Sequence, residues 1–145
     1  MTTDDAGNGA SPQISLRQVS LASGGRQDLW RIGWRVENCA WQSLRIESVR
    51  FPHGQFRSNE QRFSPPISLG HGEYVEFEAI VACDAAPGAI VENAFSIFSA
   101  IWRDQAWRIF VRLRVAVNNE GEPEALIELI TTQRVGFSTA AQTEG

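Results

Sequence analysis

Two cysteines and two histidines are the residues of this sequence best suited to metal or nucleophilic chemistry: Cys39, Cys83, His53 and His71. A structural zinc site takes four such ligands, usually in closely spaced pairs. Here the four are far apart in sequence, and each histidine adjoins a glycine in a stretch typical of turns. We therefore predict no metal site, no cofactor, and two reduced and separate thiols.

Three glutamates, Glu73, Glu76 and Glu78, form the densest group of carboxylates. A glycosidase uses two carboxylates from separate elements that flank a cleft. Glu76 and Glu78 are instead i, i+2 neighbours on one face of a predicted strand, which is typical of a solvated surface. The chain also lacks a Gly-x-Ser-x-Gly elbow and a glycine-rich phosphate loop. We predict no catalytic residues and a protein that is not an enzyme.

Tryptophan is followed by arginine four times, at Trp30, Trp34, Trp102 and Trp107. Such pairs suggest an aromatic and cationic surface for a sugar or a single-stranded nucleic acid. On a strand, however, consecutive side chains face opposite ways, so a buried tryptophan leaves its arginine neighbour in water. We favour this second interpretation, with Trp41, in a polar turn, and Trp102 as the two exceptions.

Length and charge limit the class of protein. The 145 residues fit one domain, which we place at 13–138 between disordered tails at 1–12 and 139–145. The 17 acidic residues outnumber the 13 basic ones, all of which are arginine, so we predict no nucleic-acid partner. No apolar segment has the length of a membrane span, and the N-terminus lacks a secretory signal. We expect a cytoplasmic protein with no membrane partner.

Period-2 alternation of apolar and polar residues dominates the chain and predicts strands rather than helices. The clearest row is Trp30, Ile32, Trp34 and Val36, which we assign to the core. A phase slip between Leu16 and Val19 suggests a bulge in the first strand. The predicted strands are 14–21, 28–37, 44–51, 74–83, 91–102, 107–117 and 123–134, and the segment 55–66 is predicted to be irregular with at most a short edge strand.

Seven or eight strands separated by turns predict an all-β fold, an antiparallel two-sheet sandwich. The segment WRIGWRVENCAWQSLRIESVRFPHGQF resembles the strand–turn–strand unit of immunoglobulin-like and fibronectin-type sandwiches. The likeness covers the strand pattern of roughly residues 13–137. It implies an immunoglobulin-like plan and carries no functional residues with it.

The strand 91–102 is apolar on both faces, which leaves one apolar row without a place in the core. Taking Val91, Phe95, Ile97 and Ile101 as the inward row places Phe98 and Trp102 outside. In the final hairpin, the outward row holds further apolar residues and Arg112. The predicted interface is Phe98, Trp102, Phe110, Arg112, Leu126 and Ile130. A contiguous apolar patch of this kind marks an interface unless the segment 55–66 covers it.

The final hairpin has one predicted register. A turn at 118–122 sets Val117 opposite Pro123 and pairs every inward residue with another inward residue, up to Val111 opposite Leu129. On the outer face this register places Arg112 opposite Glu128 and Phe110 opposite Ile130.

These observations lead to two hypotheses on function. The first is a non-enzymatic module that binds a protein partner, or itself, through an outer apolar sheet face rimmed by arginine. The second is a sandwich that binds a small ligand or carbohydrate with an exposed tryptophan, Trp41 or Trp102.

Overall fold

The computed structural model describes residues 10–136 and consists of eight antiparallel strands. The strands are β1 Ile14–Ser23, β2 Leu29–Asn38, β3 Leu44–His53, β4 Phe56–Leu69, β5 Tyr74–Ala82, β6 Ile90–Trp102, β7 Gln105–Val117 and β8 Pro123–Arg134. They join in one sheet in the order β1-β2-β5-β4-β3-β6-β7-β8. The predicted all-β antiparallel fold is confirmed. The tails predicted at 1–12 and 139–145 lie outside the described residues, except for residues 10–12.

The sheet curls until it is nearly a closed barrel, since its first and last strands, β1 and β8, contact each other. One side chain links them. The amide of Gln18 accepts a hydrogen bond from the Ala125 backbone N–H (2.8 Å) and donates one to the Pro123 carbonyl (3.2 Å). Between β4 and β5 the ladder has a single register pair, Arg57 with Ala82. The sheet therefore has two weakly paired junctions, β1–β8 and β4–β5, which we call its two weak seams.

The segment predicted to be irregular, 55–66, instead forms most of the 14-residue strand β4. It pairs with β3 in two stretches, from Phe56 opposite His53 and from Ile67 opposite Ile46. Residues 63–66, which include both prolines, fall between these stretches and have no register partner on β3. Proline has no backbone N–H to donate to a ladder. Because residues 63–66 leave the ladder with β3, the strand β4 can contain Pro65 and Pro66.

An aromatic cluster fills the barrel at the level of Trp34. The Trp34 ring stacks on Phe51 at 5.4 Å between centroids and meets Phe56 edge-on at 6.4 Å. Ile32, Trp34 and Val36 are buried, and Trp30 packs against the core from its margin. The inward assignment of this row is confirmed.

The bulge predicted in β1 lies at Val19, between the register pairs of Gln18 and Ser20. Beyond it, Ser20 lies opposite Gly33 on β2. A Cβ atom built on Gly33 would overlap the Ser20 hydroxyl and lie 3.3 Å from the Ser20 Cβ, so glycine lets the two strands approach without displacing that side chain.

Candidate interaction surface

The outer face of β3, β6, β7 and β8 alternates apolar side chains with arginines. Across β6 and β7, Phe95 lies opposite Arg112 and Ile97 opposite Phe110. On the far side of β6, Arg50 of β3 also lies opposite Ile97. Ile97 and Phe110 therefore form an adjacent apolar pair at the middle of this face, with Arg50 beside Ile97 on β3 and Arg112 next to Phe95 on β6.

A bulge in β6 determines which residues reach this face. Val91 lies opposite Val115 and Ala94 opposite Leu113, so two residues of β6, Glu92 and Asn93, occupy the space of one. Asn93 takes the left-handed conformation (φ 59°), which asparagine adopts more readily than most residues. The extra residue reverses the faces of the rest of the strand.

The predicted outward position of Phe98 and Trp102 is therefore wrong. Both are fully buried: Phe98 contacts Phe77 edge-on at 6.1 Å, and Trp102 contacts Trp107 at 5.9 Å. The row assigned to the core from Phe95 onward is the outer one. Phe95 and Ile101 are half-buried there, and Ile97 is largely covered.

A second bulge, at Glu128, divides the final hairpin. Nearest the turn, the predicted register is confirmed, from Val117 opposite Pro123 to Leu113 opposite Ile127. Beyond Glu128 it is wrong by one residue. The pairs there are Arg112 with Leu129, Val111 with Ile130 and Phe110 with Thr131.

The bulge replaces one member of the predicted interface. Ile130 turns inward and packs against the core, so its outward assignment is wrong, whereas Leu129 turns outward and is 48% exposed. Phe110 and Arg112 are half-buried on the outer face, and Leu126 is 63% exposed there. We define the arginine-rimmed face by an apolar centre and an arginine border. The centre is Phe95, Ile97, Ile101, Phe110, Leu126 and Leu129, with Arg112 between Phe95 and Leu129. The border is Arg45, Arg50, Arg108 and Arg114.

Three of the arginines of this face have acidic neighbours. Arg45 lies 3.2 Å from Glu47, Arg114 lies 3.4 Å from Glu92, and Arg112 lies 3.6 Å from the bulged Glu128. Such exposed pairs contribute about 0–1 kcal/mol each. Among the described residues, Arg50 and Arg108 form no ion pair. Both are exposed, so the face carries uncompensated positive charge in a chain whose net charge is −4.

A depression lies between these two arginines. Its floor is Ser99, which lies opposite Arg108 on β7 and opposite Ser48 on β3. Ser48 and Ser99 are small and lie side by side, so they leave a hollow among the longer side chains of this face. The wall includes Arg50 and Arg108, together with Pro52, Arg57, Ser58, Asn59 and Glu60 from β3 and β4.

The segment 55–66 does not lie over this face as a cover. It forms most of β4, which pairs edge to edge with β3 and so widens the sheet.

The thiols and carboxylates do not converge. Cys39 follows β2 and Cys83 follows β5, at opposite ends of the β2–β5 ladder, too far apart for disulfide geometry. Burial raises the pKa of the Cys83 thiol. Glu76 accepts a hydrogen bond from Arg35 (2.6 Å), which raises the pKa of that arginine. Within residues 10–136, no group of three or more His, Cys, Asp or Glu side chains is arranged to hold a metal ion.

A second surface feature lies at the other end of the barrel from the β7–β8 turn, where Trp41 is 73% exposed. Its ring stacks on His71 at 4.1 Å and 18° between planes, and His71 Nδ1 donates a hydrogen bond to the Ala40 carbonyl (2.8 Å). The buried side chain of Asn38 donates hydrogen bonds to the carbonyls of Gln42, in the β2–β3 loop, and Leu69, at the end of β4, each at 3.0 Å. These bonds hold the loop of Trp41 and the loop of His71 in place. Trp41 is thus exposed on a rigid support.

Phe95, Ile97, Ile101 and Leu129 lie on the outer face and were not predicted there. One signal was present for the first three: the polar pair Glu92-Asn93 interrupts the alternation between Val91 and Ala94. For Leu129 we find no comparable signal, because Glu128 continues the alternation without a break.

No protein-family model and no curated protein sequence matches this chain. Within the described part of the chain, no helix has the length and hydropathy needed to cross a membrane.

Proposed function

We propose that this protein is a non-enzymatic interaction module that binds a protein partner, or a second copy of itself, through the arginine-rimmed face. The observation that carries the proposal is the apolar row of β6 and β7 on the solvent side of the sheet, where Ile97 lies opposite Phe110. A contiguous apolar patch with a polar border is typical of interfaces, and aromatic residues and arginine are enriched in them. Binding buries the apolar centre and leaves the arginines to pair at the rim.

The test compares two exposed leucine-sized residues on different faces. Leu129 is 48% exposed within the arginine-rimmed face, and Ile80 is 45% exposed on β5, outside it. We expect Leu129→Arg to abolish self-association measured by light scattering, or co-purification of the native partner, and Ile80→Arg to leave both unchanged. Equal behaviour of the two variants contradicts the proposal.

We propose an immunoglobulin-like or fibronectin-type plan for the domain. The two weak seams support it, since they divide the strands into a β1-β2-β5 layer and a β4-β3-β6-β7-β8 layer. A sandwich of two such layers presents one flat outer face per layer, which suits a module that binds by a surface. We also propose a cytoplasmic location, in agreement with two thiols at opposite ends of a strand pair.

A second candidate function is the binding of a small ligand or carbohydrate at Trp41. The exposed ring, held against His71 by fixed loops, is the specific observation that favours it. Trp102 is buried and has no part in this candidate. Sugars should change the fluorescence of the parent but not of Trp41→Ala, and no change in the parent contradicts this candidate.

A further inference from the structure

We propose that the partner is a protein segment with acidic side chains next to apolar ones, and that one carboxylate binds in the depression between Arg50 and Arg108. This inference rests on the proposed function, because it names the chemistry of the partner for the same face. The first supporting observation is charge. Neither Arg50 nor Arg108 forms an ion pair among the described residues, and both line the same depression.

The depression has the composition of an anion site. Arg50, Arg57 and Arg108 all line it, and Ser99 adds a hydroxyl group. Guanidinium groups pair with carboxylates through two parallel hydrogen bonds, and such charge-assisted bonds are about twice as strong as neutral ones.

One acidic residue, Glu60, also lines the depression, but it is already engaged. Its carboxylate accepts a hydrogen bond from the Ser48 hydroxyl at 2.6 Å and lies 3.6 Å from Arg62. Ser48 is buried, so this bond fixes Glu60 against β3. Arg57 donates one hydrogen bond to the Gly54 carbonyl (3.4 Å). Arg50 and Arg108, which form no ion pair among the described residues, remain available to an incoming anion.

The apolar residues beside the depression specify what accompanies the carboxylate. Ile97 on β6 lies opposite Arg50 on β3, and on its other side it lies opposite Phe110 on β7. A peptide that places an acidic residue over Ser99 brings its next outward side chains over this apolar centre. A nucleic-acid backbone offers repeated phosphates and no matching apolar side chains, and the net charge of −4 opposes it.

The same charge pattern disfavours a symmetric dimer centred on the depression. If the two-fold axis passes there, Arg50 and Arg108 of one copy approach those of the other. Like charges brought together in an interface are unfavourable by several kcal/mol. Charge complementarity thus selects an acidic partner over a second copy in this arrangement.

The experiment is an NMR titration of ¹⁵N-labelled protein with a short Ser- and Gly-rich peptide that carries two Glu and two Leu. The same peptide with Gln in place of Glu is the first comparison, and an oligothymidylate is the second. We expect the Glu peptide to shift the amides of Ser99 and Arg108 and to bind more weakly as salt rises. Arg50→Gln and Arg108→Gln should each weaken its binding about tenfold.

Arg17→Gln is the matched control, because Arg17 is exposed on β1, outside the face, and should change binding less than about twofold. Equal binding of the Glu and Gln peptides overturns the acidic preference and leaves the proposed function standing. Tighter binding of the oligothymidylate at these residues, or no shift with any probe, also overturns it. The proposed function is judged separately, by Leu129→Arg against Ile80→Arg.

Discussion

Gln18 is the side chain whose removal best tests how the barrel closes. No backbone ladder joins β1 to β8, and the Gln18 amide takes the place of two ladder bonds there. Gln18→Leu keeps the size of the side chain and removes both hydrogen bonds. The Ala125 N–H and the Pro123 carbonyl, both partly buried, then lose their partner.

The magnitude follows from these two bonds. Each is worth about 0.5–1.5 kcal/mol net, so we expect the free energy of unfolding to fall by about 1–3 kcal/mol. For a domain of this size such a loss lowers the Tm by roughly 5–10 °C. The change should also be local, because the strands on either side of the seam keep their own ladders.

The assay is urea unfolding combined with amide hydrogen exchange at Ala125. Gln13→Leu is the control, because the Gln13 side chain is exposed and bonds only to Ser11 among the described residues. We expect faster exchange at Ala125 in Gln18→Leu alone. Equal stability of the two variants, with unchanged exchange at Ala125, would refute the account of closure given above.

Three further predictions concern the core, a strand contact and the thiols. Trp34→Ala should cost about 3–5 kcal/mol, since the indole is fully buried among aromatic rings, and a Tm within a few degrees of the parent would contradict this. Gly33→Ala should cost about 1–3 kcal/mol in denaturant unfolding, because its methyl group meets β1, whereas Gly54→Ala, which meets nothing, should be neutral. In native protein at pH 8, Cys39 should react at once with a thiol reagent and Cys83 only on unfolding, because burial raises the Cys83 pKa and shields it. Two unreactive thiols in denaturant would overturn both the separate thiols and the proposed cytoplasmic location.

The strands whose two faces differ in polarity were predictable from the sequence. In β2, Ile32, Trp34 and Val36 alternate with charged or small residues, so only one phase buries the apolar row. The turn-proximal half of the final hairpin was predictable for the same reason, because Val115 and Ala125 both need the core. Burial of one face is a strong constraint, and it appears in the sequence at every second residue.

The strand β4 was not predictable, because its signals conflict. Pro65 and Pro66 argue against a ladder, and the residues before them are mostly polar. In the structure the two prolines lie in residues 63–66, which have no register partner on β3. Where the ladder is interrupted depends on the partner strand β3, and the local sequence of β4 does not show it.

The interaction surface shows what happens when a strand is apolar on both sides. In β6 one row holds Phe98 and Trp102 and the other holds Phe95, Ile97 and Ile101, so hydrophobicity alone does not choose between them. Packing decides between them: in the inward row Phe98 contacts Phe77 and Trp102 contacts Trp107. The other residues of that row, Ala94, Ser96 and Ala100, are small and buried. Asn93 makes that choice attainable by accepting the left-handed conformation at the bulge. Either phase leaves one apolar row outside, which is why an apolar outer face was predictable while most of its members were not.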